Sequence, residues 1–311
     1  MTAGRPDQLT SPVAAAAAPD PPAGAGRMTG PAAAGGAAGT TGAAGIARAG
    51  WLTGFGEAAH AEWTKLRTLS GTAWLLAVAV VLTVAGGAVT TAVVKCSTAC
   101  SADPVKNSLT GVMLGQAAVA VLAVMLLTGE YSSGMIRTTL AAMPRRTAML
   151  AAKASVLTAV VAVTGVVAVL GSLLASQHFA AENGFTAAHG FLPVTLAHGP
   201  VVRAAAGSVL YFGLVALLSL GIATAVRESA VAITAVLGLL YVLPIIGGLM
   251  LSPHWERRFD RYSPMSAGLA IQATRNLGKL PIGPWEGLGV LACWAAVSLL
   301  AGWALLRLRD A

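Results

Sequence analysis

The sequence predicts an all-α integral membrane protein: six transmembrane helices, preceded by an amphipathic interfacial helix and a disordered N-terminal tail. Three observations predict it. Hydrophobic residues make up 56% of the 311 residues and charged residues only 10%, against roughly 25% charged in a soluble domain. The mean hydropathy is +0.74, so the apolar side chains are too many to hide in one water-soluble core, and lipid is their natural solvent. Six apolar runs then divide the chain from residue 72 onward. A disordered protein and an ordinary cytosolic enzyme are excluded by this composition, and three cysteines are too few for a disulfide scaffold. The net charge of +8 does not point to nucleic acid, because the basic residues stand in small groups between apolar runs, where they set membrane orientation.

Residues 1–48 are almost entirely Ala, Gly, Pro and Thr, with no aromatic residue and no long aliphatic run. Nothing there offsets the entropy of ordering, so a disordered cytoplasmic tail is expected. The Ala14–Ala18 run lacks a basic flank and is followed by Pro19, Pro21 and Pro22, which argues against a signal peptide. Residues 49–70 read differently. Leu52, Phe55, Ala59, Trp63 and Leu66 recur at helical steps, with Glu57, His60, Thr64 and Thr68 on the other face. Ending in Lys65 and Arg67 beside a span, this helix suits the water–lipid interface.

The transmembrane domain, 72–306, holds the six runs at about 72–94, 109–128, 154–177, 204–226, 230–251 and 287–306. Each is ~20 residues or longer, enough at ~1.5 Å per residue to cross ~30 Å of hydrocarbon. None contains Asp, Glu, Lys or Arg. With both ends in the cytoplasm, Lys65, Arg67, Arg137, Arg145, Arg146, Lys153, Arg227, Arg307 and Arg309 fall inside. That matches the positive-inside rule. The segment 252–284 goes against it with Arg257, Arg258, Arg261, Arg275 and Lys279; it reads as an outer loop or a re-entrant hairpin, with Trp255, Phe259 and Tyr262 at the interface.

Runs free of charge leave little support for ion coupling by the chain alone, since such transporters usually carry ionisable groups in the membrane. No G-x-x-x-x-G-K-[ST], H-E-x-x-H or G-x-S-x-G occurs. His178, His189, His198 and His254 sit in loops at spacings that match no compact metal site, so no metal is expected. Cys96 and Cys100, four residues apart in the first outer loop, are a possible disulfide, while Cys293 is expected as a small buried side chain. Gln116, Tyr211, Ser219 and Thr224 are polar positions within spans that either line a cavity or bond across helices. Gly111 and Gly115 predict close helix packing, and Pro244 a kink in the fifth span.

The inner loop 129–153 has an ordered layout. Gly129 ends the second span, Ser132 or Ser133 caps a new helix, and Ile136, Leu140 and Met143 form an apolar stripe. Pro144 stops that helix and opens the next, which runs through Lys153 into the third span. Glu130, at the negative end of the second span, is expected to pair with Arg137, Arg145 or Arg146.

This arrangement resembles the permease subunits of ABC-2 type transporters, at Glu130, Gly134, Pro144, Arg145, Arg146 and Lys153. The stretch Glu62-Trp63-Thr64-Lys65-Leu66-Arg67 is similar to the lead-in of many actinobacterial-type members, as are Tyr262-Ser263-Pro264 and the closing Leu306-Arg307-Leu308-Arg309-Asp310. The likeness runs from about Trp51 to the end. It departs at Met135-Ile136-Arg137, where a Thr-Leu-Glu type sequence is commoner.

The resemblance implies a non-catalytic membrane subunit of an exporter in the cell membrane, paired with a second permease subunit and with separate P-loop ATPases. ATP and Mg would be bound by the partner ATPase, and no cofactor by this chain. The inner loop would dock on the ATPase as a coupling helix, with Ile136, Leu140 and Met143 in a groove and Arg137, Arg145 and Arg146 at its rim. The cargo expected is an amphipathic or apolar compound. The alternatives are a stand-alone ion-coupled transporter or channel, and a scaffold that recruits a cytoplasmic partner.

Overall fold

The computed structural model describes residues 56–57, 59–68, 70–95, 102–132, 134, 146–185, 191, 194–250 and 252–308. The chain divides into Met1–Ala44 and Gly45–Ala311, and every described residue belongs to the second unit. The expected tail, 1–48, and Cys96 and Cys100 lie outside the described residues. The structure is 87% helical, with no strand among the described residues. Among the described residues, six helices are long and apolar enough to cross a membrane: Gly71–Val93, Pro104–Tyr131, Thr147–Glu182, Gly199–Val226, Ser229–Leu249 and Pro284–Leu308, numbered spans one to six.

Spans two and four form the centre. Their most apolar stretches are 67% and 61% buried, against 22% for spans one, five and six. Leu109, Val124 and Leu127 of span two and Phe212, Val215 and Leu218 of span four fill the space between the helices. Glycine allows the closest approach. A Cβ on Gly111 would lie 1.9 Å from the Thr83 carbonyl oxygen, and one on Gly87 2.0 Å from that of Ser108, so spans one and two meet backbone to backbone. Ser172 of span three reaches the same contact, its hydroxyl donating to the Ser108 carbonyl at 2.6 Å.

Span four ends at Arg227, which takes the left-handed conformation with φ +66° and lies over the Tyr131 ring at 5.5 Å. Span five opens at Glu228, whose carboxylate accepts from the backbone N–H of Ala230 and Val231, two donors the helix start leaves orphaned. Within it, Gly238–Val242 is a π-helical turn, where the Leu243 N–H bonds the Gly238 carbonyl. This irregularity comes just before Pro244, which lacks the donor a regular helix needs.

The segment after span five resolves into two parts. Pro253–Tyr262 is an exposed helix; the chain then turns at Ser263 and re-enters the bundle as Pro264–Leu269 and Ala270–Gln272. Met265, Ala267, Ile271 and Gln272 are buried there. Gly268 lets this segment lie on the Tyr211 ring, which a Cβ would meet at 2.6 Å.

One expectation needs correction. Cys293 is exposed, because it falls on the outward flank of span six with Trp294 and Val297, while Leu288, Leu291, Ala295 and Leu306 face inward. In the helix 59–68, Leu66 is buried, Trp63 is 49% exposed, and Glu62 takes an inward position beside Leu66.

Candidate functional site: a closed ring of buried charges

Three helices converge at the end of the bundle where span two stops and span three begins. The leading helix, 59–68, brings Glu62 and Lys65; span two brings Glu130; span three brings Lys153. Lys153 is fully buried, and Glu62 and Glu130 are each 4% exposed. The Lys153 ammonium donates to Glu62 Oε2 at 2.7 Å and to Glu130 Oε1 at 2.9 Å. Lys65 donates to Glu130 Oε1 at 2.8 Å and to Glu62 Oε1 at 3.2 Å. Carboxylates and ammoniums therefore alternate around a closed ring of four ion pairs.

Local structure explains why each group is there. Glu62 and Lys65 are three residues apart and share one helix face. Glu130 lies in the last turn of Val112–Ser132, where orphan carbonyls make a carboxylate unwelcome unless cations answer it. Burying any one of these charges alone would cost several kcal/mol; opposite charges at hydrogen-bond distance offset that cost. Burial by itself would lower the pKa of the Lys65 ammonium, but the Glu130 hydrogen bond and the charges of Glu62 and Glu130 outweigh it, and hold Lys65 above its ordinary value.

The ring changes the reading of the apolar runs. Bounded at 109–128 and 154–177, those runs exclude ionisable groups, yet the helices continue past them and carry Glu130 and Lys153 into the buried interior. Glu130 is paired with Lys65 and Lys153. Of the residues expected to pair with it, Arg137 and Arg145 lie outside the described residues, as does the Arg146 side chain. Gly134 is exposed, with φ +71°. Ile136, Leu140, Met143 and Pro144 also lie outside the described residues.

The polar positions within the spans form a second, neutral group. The Tyr211 hydroxyl donates to Gln116 Oε1, and Gln116 Nε2 donates to the Met265 sulfur at 3.1 Å. Gln272 donates to the Ser208 hydroxyl at 3.2 Å, and the Tyr241 hydroxyl donates to the Met113 carbonyl. Ser219 and Thr224 instead bond carbonyls of their own helix, at Val215 and Leu220. All four expected positions are fully buried. His178 is exposed and 3.8 Å from Glu182, and His189 and the His254 side chain lie outside the described residues. Among the described residues no cluster of His, Cys, Asp and Glu could hold a metal ion.

Sequence reasoning placed Glu62 and Lys65 in the lead-in stretch but missed both as site residues. The signal was present: Glu62 is three residues from Ala59 and four from Leu66, so it belongs to the face those two share. Asp103, Met265 and Gln272 were also missed, since their partners lie far away in the sequence.

No protein-family model and no curated protein matches the chain. Six apolar helices fit a membrane permease in general.

Proposed function

We propose that this chain is the membrane-spanning permease subunit of an ATP-driven exporter of the ABC-2 type. In this reading it performs no catalysis. It works in the cell membrane with a separate P-loop ATPase and a second permease subunit, and moves an amphipathic or apolar compound.

One observation carries the proposal. Glu130 and Lys153, two of the positions that resemble the family's inner loop, are drawn together and tied to Glu62 and Lys65 of the similar lead-in stretch. The two spans that precede and follow residues 133–145 are thereby joined through one ionic unit. A partner pulling on that segment would move spans two and three and the leading helix together, which is what coupling to an external motor requires. Disrupting the partner contact should then leave the bundle intact, while disrupting the ring should uncouple it.

The test is purification of the tagged protein in mild detergent, with mass spectrometry of what accompanies it. Wild type is compared with a variant carrying Leu140→Asp and Arg145→Glu. A P-loop ATPase present with wild type and lost with the variant is the expected result. Its absence from both, even after crosslinking in intact membranes, would sink the reading.

A stand-alone ion-coupled transporter is the second reading, favoured only by the buried carboxylates Glu62 and Glu130. It requires gradient-driven flux through the purified chain in liposomes with no ATPase present.

A further inference from the structure

The exposed helix Pro253–Tyr262 has two characters. Trp255, Phe259 and Tyr262 follow one another at helical steps of four and three, and Trp255 and Tyr262 are 56% and 63% exposed. Phe259 is pressed onto Gly247 of span five, where a Cβ would meet its ring at 2.6 Å. Aromatic side chains fixed in this way beside a span belong at the headgroup level of a bilayer.

Basic residues from this helix and from the 278–281 stretch surround a cavity of about 940 Å³. Arg257, Arg258, Arg261 and Lys279 line it, together with Glu256 and Asp260. Arg261 Nε donates to the Pro281 carbonyl at 3.0 Å and so ties the two walls together. Among the described residues, none of the four cations takes part in an ion pair within 4.0 Å, although two carboxylates share the cavity. Four guanidinium and ammonium groups facing one space with only two carboxylates leave a positive balance that favours an anion there.

A second cavity, of about 640 Å³, begins at the next residue. It is lined by Tyr262, Val290, Cys293, Trp294 and Val297 on the outward flank of span six, with Glu286 at its edge. Trp294 Nε1 donates to the Tyr262 carbonyl at 3.0 Å and ties the end of the helix that carries the basin's arginines to the groove on span six. A basic basin thus adjoins an apolar groove running along a membrane helix.

We propose that the basin and groove together form a binding site for an anionic phospholipid, its phosphate headgroup among Arg257, Arg258, Arg261 and Lys279 and an acyl chain along Val290, Cys293 and Val297. The basin alone would suit any phosphate. The groove, lined by side chains that water solvates poorly, selects a phosphate that carries a hydrocarbon chain. This site is separate from the charge ring and does not depend on the exporter reading.

The full-length protein in dodecyl maltoside tests the proposal, by native mass spectrometry with phosphatidylglycerol and phosphatidylcholine offered in equal amounts. Wild type should retain phosphatidylglycerol at least tenfold better than phosphatidylcholine. Arg257→Ala, Arg258→Ala and Lys279→Ala combined should abolish that preference, and Val297→Trp, which fills the groove, should lower retention of both lipids. A thermal melt of each variant, unchanged from wild type, establishes that the fold is intact. Should a melt shift, the single variant Arg257→Ala replaces the triple one, with a smaller loss of preference expected. Equal retention of the two lipids by wild type, or a preference that survives the basic-to-alanine changes, would overturn the proposal. So would inorganic phosphate at equal concentration displacing the lipid completely, which would mark the basin as a site for free phosphate.

Discussion

At one end of the bundle Glu62, Lys65, Glu130 and Lys153 satisfy one another as full charges. At the other, a single carboxylate, Asp103, is satisfied mostly by neutral donors. It accepts from the backbone N–H of Val105 and Lys106 at 3.2 Å, from the Thr274 hydroxyl at 2.7 Å, and from the backbone N–H of Thr274 and Arg275. Both arrangements join distant segments. The ring joins the leading helix to spans two and three, and Asp103 joins the start of span two to the segment behind the re-entrant helix. They differ in how they fail. Removing Lys153, the fully buried member of the ring, strands a buried charge, whereas weakening the Asp103 cluster leaves donors close to water.

Lys153→Met should therefore be the most damaging single change at either end. It leaves two carboxylates facing one remaining ammonium, and a loss of about 3–5 kcal/mol is expected from breaking a buried pair. Denaturant titration in mixed micelles reads it directly. The double variant Lys153→Met with Glu130→Gln should recover part of that loss, because it removes the stranded charge as well. No recovery would mean that the ring's members act independently.

Asp103→Asn should cost less, about 1–3 kcal/mol, since the amide turns donors toward donors but buries no charge. If it proved as damaging as Lys153→Met, the contrast between the two ends would collapse. Lys65→Met should cost less again, about 0–1 kcal/mol, because the Lys65 side chain is 32% exposed and water screens its pairs.

The smallest expected effect is one of pH. Lys65 is held above its ordinary value of 10.5, so its contribution is fully present below about that pH. It is lost as the pH rises through the higher, folded-state value. The melting temperature should thus show no step from this group between neutral pH and pH 10, and a decline above it. Lys65→Arg, whose guanidinium stays charged, should remove that decline. A decline of equal size in the arginine variant would assign it to another group.

Much of the fold was legible because a span needs only length and hydropathy. Long runs such as 204–226 leave little choice of element, and their cores agree with the helices observed. The re-entrant segment was harder to read. Its Pro264–Leu269 helix has only six residues, too few to span or to show a period, and its burial is decided by Tyr211 and Gln116 on other helices. The charge ring was half legible. Glu130 and Lys153 stood out by position, while Glu62 meets Lys153 across 91 residues of sequence. Charge counting within runs could not find it, because hydropathy boundaries fall where charges begin and helices do not stop there.

Span three has 36 residues, about 54 Å at the helical rise, and it holds span one's neighbourhood at two widely separated points. Near its start, Lys153 grips Glu62 just ahead of span one. Beyond its other end, the Asn183 amide donates to the Thr91 and Ala92 carbonyls, where span one finishes. Mechanically, the two helices make a beam pinned at both ends. Axial sliding between them would break one pin or the other, so the pair is free to tilt or roll only as a single body. Any stroke delivered near residue 146 would travel the whole length of that beam.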